Sequence, residues 1–512
     1  MSKLRVDLDR RETVRSLGLL TSLLFASLVS GWLISRGEVK YLAALGAIIA
    51  MSILAVKARW LLVSLLVLAT LNGLPGLNLS DLHSAGTFNP TTVCAMLLVA
   101  MGAAHFASGR SVERGRAGRW LFLWGVAFIA VWLVGWVRAV GDGVPIFKAL
   151  TFGQTFLVFG LLLPVAQGLF RSRQELRRFL SLFIGLGIVY ALGEIAASVG
   201  LISPSAINVS LTQTHGGITR LYAPMGDAVF LIFACSIGVS LLSKGRTARL
   251  ALLAALVTGV AVAVELTRAQ YFALVGGLVA ALLIISFRGS ISIKGRIGWR
   301  VLCAVGAGIA IVGVLALTLP QVGQSSAVNE VSSRVTTGIA QLTGEAPAGA
   351  TNTFAYRQSL DQTMLAILGT GWPIGLGFLA PSTSYFAQLP SGSITNTDVG
   401  VMNVLMTLGA VGAVLLYLPM VCFLVWTARG LRHDDGTAAE RLGMTIWVVA
   451  LLAASVTLVT LFSTGGVVLV AVAIGVCLRR WGESPEHRPA ASSGGAASPF
   501  SRSVLSSGRL AL

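Results

Sequence analysis

Gly371-Trp372-Pro373-Ile374-Gly375-Leu376-Gly377-Phe378 lies inside the one long interruption of an otherwise hydrophobic chain, the stretch from Gln321 to Gly412. Loops of that length inside a compact structure are uncommon unless they carry function or are disordered. This one holds Trp372, Phe378, Tyr385 and Phe386, aromatic weight that predicts a loop folded over something. It also carries Arg357 near its middle and Asp398 at the start of the next apolar run.

Outward from that stretch, apolar runs dominate. Charged residues make up only 11% of the 512 positions and the mean hydropathy is +0.83, a balance that a water-soluble chain of this size does not reach. Ser16–Ile34 reads as a retained first span, too long for a signal-peptide core and lacking a small-residue cleavage site. Further runs at 41–56, 60–75, 91–108, 120–140, 147–170, 179–202, 224–243, 248–266, 271–287, 300–320, 399–427, 442–461 and 463–478 bring the total to about fourteen helices. The expected fold is all-α: a polytopic membrane protein with about fourteen transmembrane helices and one large extracytoplasmic loop. The expected organisation is a cytoplasmic amino terminus over 1–15 and eleven spans over 16–320. The large loop follows at 321–398, three further spans at 399–481, and a disordered cytoplasmic tail rich in Ser, Gly, Ala and Pro at 482–512.

The net charge of +18 is not the footprint of a nucleic-acid binder, because the basic residues fall in short clusters between apolar runs. With the amino terminus in the cytoplasm, thirty of the 38 Lys and Arg residues lie in cytoplasmic segments, as the positive-inside rule requires. The eight left outside are Arg36, Lys40, Arg138, Lys148, Arg220, Arg268, Arg334 and Arg357. Arg268 stands in the short link between two apolar runs, with Glu265 three residues earlier on one helical face. Arg220 follows His215, Gly216 and Gly217 and precedes Pro224. Each has a plain structural alternative: an ion pair at a helix end for Arg268, a snorkelling interfacial anchor for Arg220.

Several chemistries lack their residues. No GxxxxGK[ST] loop and no HExxH helix is present. The five histidines are scattered, and the cysteines (Cys94, Cys235, Cys303, Cys422, Cys477) sit in apolar runs without CxxC spacing. Asp7-Leu8-Asp9 reads as part of a charge-balanced terminus. Neither a metal site nor a cofactor is expected. What remains is a set of outward arginines with the carboxylates Asp227, Glu265, Asp361 and Asp398. Guanidinium forks suit phosphate oxygens without a metal, and a carboxylate can accept the proton of an attacking hydroxyl. Outside the cytoplasm, where no nucleotide pool exists, such a phosphate is lipid-borne.

Three patterns resemble the O-antigen ligase and O-antigen polymerase superfamily of polytopic glycosyltransferases. Arg220-Leu221-Tyr222-Ala223-Pro224-Met225-Gly226 is similar to the family's arginine-led motif before a membrane helix. Thr267-Arg268-Ala269 is similar to its Ser/Thr-Arg-small lead into a helix. Ala355-Tyr356-Arg357, followed by Pro373-Ile374-Gly375-Leu376-Gly377, resembles the start of the large periplasmic loop and its P-x-x-G-x-G turn. The likeness covers roughly 210 to 430. It departs at Asp398, which stands where the family carries a histidine, with Val399 in place of the neighbouring asparagine and Asn396 close by. A helix N-cap is the structural alternative for Asp398.

The resemblance implies a metal-independent, inverting glycosyltransferase of the bacterial inner membrane, both termini cytoplasmic. It would take an undecaprenyl-diphosphate-type lipid-linked oligosaccharide as donor and a glycan or glycolipid hydroxyl as acceptor. Other polysaccharide-assembly membrane proteins would be further partners, and nucleic acid none. Asp398, Arg268 and Arg357 would be catalytic. Arg220, Glu265, Pro373, Gly375, Gly377, Asn396 and His215 would bind substrate. Two alternatives stand beside this: a flippase or transporter for the same lipid-linked oligosaccharide, for which Glu194 is the principal acid inside a span, and a non-catalytic assembly partner.

Overall fold

The computed structural model describes residues 53–54, 57–71, 73, 89–90, 91–107, 116–170, 172–198, 200–207, 211–215, 218–222, 226–242, 245–264, 279, 283, 353–378, 400–430, 438–455 and 463–478. The elements run α1 (Arg59–Thr70), α2 (Pro90–Ala107), α3 (Arg116–Gly141), α4 (Ile146–Val165) and α5 (Arg173–Ser198). A hairpin of β1 (Leu211–His215) and β2 (Ile218–Tyr222) follows, then α6 (Gly226–Leu242), α7 (Gly245–Val264) and α8 (Thr353–Leu368). The last helices are α9 (Gly400–Gly430), α10 (Ala438–Ser455) and α11 (Thr464–Leu478).

Among the described residues, five stretches are long and apolar enough to cross a bilayer: Gly118–Gly141, Ile146–Gly168, Arg173–Ser198, Gly245–Val262 and Gly400–Ala428. Arg59–Thr70, Pro90–Ala104, Ala228–Leu242 and Thr464–Gly475 are shorter apolar helices. The chain is therefore a predominantly helical membrane protein. Of the remaining expected spans, those at 16–34, 41–56, 271–287 and 300–320 lie outside the described residues or barely enter them. A count of fourteen is not reached among the described helices.

Two features differ from the sequence expectation. Residues 211–222 form a two-stranded antiparallel hairpin, with Leu211 paired to Tyr222 and His215 to Ile218. The strands are joined by Gly216-Gly217, a pair suited to a two-residue hairpin connection. Secondly, the expected loop 321–398 is not loop throughout, because Thr353–Leu368 is helical. Met364 and Leu368 of that helix, with Leu376 beyond it, are buried against Met402 and Met406 of α9. A helix of 16 residues draws its order from such packing more than from propensity.

α11 is enclosed: every residue from Val467 to Ile474 is buried, as expected of a helix apolar on all sides. It packs on α4, α9, α10, α1 and α2. α3 instead faces outward along one side, exposing Phe122, Leu123, Val126, Leu133, Val134 and Val137, a surface made for hydrocarbon. Its inner side is aromatic. Trp124 stacks on Phe128, Phe159 meets both edge-on, and the Trp124 indole N–H donates to the Leu415 carbonyl at 2.7 Å.

Elsewhere small residues let backbones meet. A Cβ built on Gly238 of α6 would lie 2.4 Å from Gly443 N on α10, and one on Gly443 would lie 2.5 Å from Cys235 Cα. Close backbone approach of this kind drives helix association in lipid. Gly238→Val is expected to lower stability by about 1–3 kcal/mol through overpacking, read as a fall in the thermal midpoint of the detergent-solubilised protein. An unchanged midpoint would show that α6 and α10 do not cross here.

At the start of α1, Arg59 is buried and its guanidinium donates to three carbonyls. Nε donates to Leu169 O at 3.0 Å, and Nη2 to Met101 O at 2.6 Å and Gly168 O at 2.8 Å. Two of those carbonyls close the 3₁₀ turn Ala166–Gly168 after α4, where helical carbonyls lack intrahelical partners.

Candidate functional site

The turn Trp372–Phe378 is built into the helix bundle. α8 passes into a 3₁₀ turn over Gly369–Gly371, and Gly375 N–H closes back onto Gly371 O at 2.8 Å. Opposite it, α9 is broken at Gly409, with φ 69° and ψ −172°. Gly409 lies nine residues past Gly400, about 14 Å along the axis at 1.5 Å per residue.

An unbroken helix would bond Ala410 N–H to Met406 O and Val411 N–H to Thr407 O. The break frees all four groups, and the turn engages each of them. Leu376 N–H donates to Met406 O at 2.6 Å and Gly377 N–H to Thr407 O at 3.1 Å. Ala410 N–H donates to Trp372 O at 2.9 Å and Val411 N–H to Pro373 O at 3.1 Å. Two helical bonds are thus exchanged for four across the chain. Irregular backbone within a membrane is tolerated only where protein satisfies it in this way.

The glycines of the turn follow from the same contact. Gly375 and Gly377 have φ of 74° and 87°, a region costly for other residues. A Cβ on Gly375 would lie 2.5 Å from Gly409 N, and one on Gly377 2.5 Å from Gly135 O. Both glycines thus approach the protein's own backbone closely. The Arg138 guanidinium at the end of α3 donates to Gly375 O, and Phe378 is 1% exposed, lying against Trp132 and Phe156. The Trp132 indole donates to Gly153 O at 2.7 Å, joining α3 to α4 beneath the ring. Trp372 and Ile374 face outward.

A second junction forms where α5 ends. β2 packs on α5 and on α7, and the 3₁₀ turn Pro204–Ile207 packs on α5. α6 follows the hairpin, and α6 and α7 pack along each other across a two-residue link. The end of α7 therefore returns to the hairpin. In register, Arg220 sits at the centre of β2 opposite Gln213, and His215 ends β1. α7 ends at Val264, one residue before Glu265.

Of the sequence candidates, Glu265, Arg268, Asn396 and Asp398 lie outside the described residues. The structure packs the Arg220 strand on α7, the helix that Glu265 and Arg268 follow in the sequence. Arg357 is the fifth residue of α8, which packs on α9, the helix that begins two residues after Asp398. Pro373, Gly375 and Gly377 occupy the turn set between α3 and α9. Among the described residues, no group of three or more His, Cys, Asp or Glu side chains could hold a metal ion.

One residue absent from those candidates stands out at the hairpin end. Glu194, one turn before the end of α5, is 1% exposed, and neither carboxyl oxygen has a hydrogen-bond partner. An acid inside an apolar run was its visible signal in the sequence; its burial at this junction was not visible there. No protein-family model matches this chain, and no curated protein does either.

Proposed function

We propose that this chain transfers oligosaccharide from a polyprenyl-diphosphate donor to an acceptor hydroxyl on the outer side of the bacterial inner membrane, as O-antigen ligases and polymerases do. The observation that carries the reading is the hairpin junction: the strand of Arg220 packs on α7, the helix that Glu265 and Arg268 follow in the sequence. One of the arginines that defy the charge bias thus stands on a strand packed against the helix that precedes a second in the sequence. Arg220, Arg268 and Arg357 would neutralise the diphosphate as it leaves. The acceptor oxygen attacks the anomeric carbon from the opposite face, and the bond from that carbon to the phosphate oxygen breaks. The hydroxyl proton passes to Asp398, and the prenyl diphosphate departs with inversion at the sugar.

The experiment is transfer by the purified protein in lipid nanodiscs, from a synthetic polyprenyl-diphosphate oligosaccharide to a glycan acceptor, with products read by mass spectrometry. Arg268→Ala and Asp398→Ala are each expected to lower turnover about 10²-fold or more. Undiminished product from both variants would overturn the reading. The buried acid Glu194 favours a second one, movement of the lipid-linked oligosaccharide across the bilayer, since acids inside spans mark transport paths. Deletion would then trap labelled donor in the inner leaflet.

A further inference from the structure

Arg59 and Glu194 are the two charged residues among the fully buried described side chains, and they are treated in opposite ways. Arg59 gives its protons to three carbonyls. Glu194 has no donor on either oxygen. An ionised carboxylate buried without donors from the protein is strongly disfavoured, and a neutral carboxylic acid is the form that fits.

We propose that Glu194 is a proton-binding site of the membrane domain, a carboxylic acid that exchanges its proton through the hairpin end of α5. This goes beyond the transferase reading and does not rest on it. The geometry supplies a route. Tyr190, Glu194 and Ser198 follow one another at four-residue spacing, so they line one face of α5, and all three are buried. The Tyr190 hydroxyl donates to Gly73 O at 2.5 Å, and the Ser198 hydroxyl to Ile195 O at 2.7 Å. The row ends where β2 and the 3₁₀ turn Pro204–Ile207 pack on the helix.

The elements packed on α5 are α1, α6, α7, β2 and that 3₁₀ turn, with α10 reaching it through Glu440, 3.9 Å from Arg177 at the end away from the hairpin, and their ionisable residues divide by end. Arg59 begins α1, about 20 Å from Gly73 at 1.5 Å per residue, and is held by its carbonyls. Arg246 and Arg249 begin α7 at the end away from the hairpin, as Arg173, Glu175, Arg177 and Arg178 do on α5 itself. Cys235 lies further along α6 against Met444, at 3.8 Å between sulfurs. At the Glu194 end are Arg220 and Tyr222 in β2, Asp227 at the start of α6, and Tyr190 on the row; the 3₁₀ turn carries none. When the acid ionises, its proton passes to water at that end.

Membrane-soluble dicyclohexylcarbodiimide reacts with protonated carboxyls in a low-dielectric site, whereas a water-soluble carbodiimide with an added amine marks carboxylates open to water. Treating the full chain in nanodiscs with each reagent, followed by peptide mapping, tests the proposal. The expected result is labelling of Glu194 by the membrane-soluble reagent in mildly acidic buffer, falling about tenfold per pH unit above its midpoint. Asp142, which is exposed, serves as the water-open reference and takes the other reagent. An infrared carboxylic-acid band that titrates with pH, and is missing in Glu194→Gln, is the second expected result. If that variant does not fold, mapping of the unaltered protein decides alone. Absence of label across the whole pH range means a carboxylate permanently ionised by a partner and overturns the proposal. So does labelling of Glu194 by the water-soluble reagent to the extent seen at Asp142.

Discussion

Gly409→Ala is expected to leave little folded protein. The residue holds φ 69° and ψ −172°, a conformation open essentially to glycine alone. Placing a side chain there costs about 1–3 kcal/mol in backbone strain. A methyl group would also lie 2.3 Å from Gly375 N and 2.5 Å from the Ile374 backbone, where there is no flexible side chain to yield. Overpacking of that kind adds about 1–3 kcal/mol, against a total stability of about 5–15 kcal/mol. If the turn is expelled instead, Met406 O, Thr407 O and the Ala410 and Val411 amides lose the partners that the turn provides. The measurement is thermal unfolding of the detergent-solubilised variant by tryptophan fluorescence, beside Gly185→Ala, whose Cβ meets nothing within 4 Å. If both variants melt with the unaltered protein, the break in α9 and its docked turn are not present in the membrane.

Arg59→Leu is expected to have the next largest effect. It removes one buried cation and three donors at once, leaving the carbonyls of Met101, Gly168 and Leu169 at the junction of α1, α2 and α4. A hydrogen bond with a charged donor contributes about 1.5–3 kcal/mol, so the loss should exceed that of any single neutral bond. Arg59→Lys keeps the charge but not the fork and should recover only part of it. The two variants, compared by thermal midpoint and by protease sensitivity, separate charge from geometry. Equal stability of Arg59→Leu and the unaltered chain would contradict the triple contact.

Much of the scaffold was legible because a run of about twenty apolar residues announces a span by itself. The expected 120–140, 147–170 and 399–427 correspond closely to α3, α4 and α9. The break in α9 was hidden for the same reason: Leu408-Gly409-Ala410-Val411-Gly412 reads as unbroken hydrophobic sequence, and only a partner more than thirty residues earlier reveals the kink. α8 was concealed differently, by a stretch whose apolar residues are interleaved with polar ones and find partners in Met402 and Met406. The hairpin left a clear trace in Gly216-Gly217, overshadowed by the charge of Arg220 beside it. For the candidate site, the arginines could be picked out by their violation of a charge bias, a property of single residues. Which of their segments meet is a property of packing, and packing between distant segments leaves no local trace.

The docked turn also dictates an order of assembly. Its donors and acceptors belong to a segment that leaves the ribosome before Gly409 does, while the walls that receive Phe378, on α3 and α4, were made long before. During synthesis the Trp372 and Pro373 carbonyls of the turn must therefore wait until the Ala410 and Val411 amides of the second half of α9 emerge. The seal between early and late thirds of the polypeptide is one of the last to close. A nascent chain halted just short of residue 411 would present that unfinished seam to the insertion machinery and to membrane proteases, which gives the cell a late checkpoint on the whole molecule.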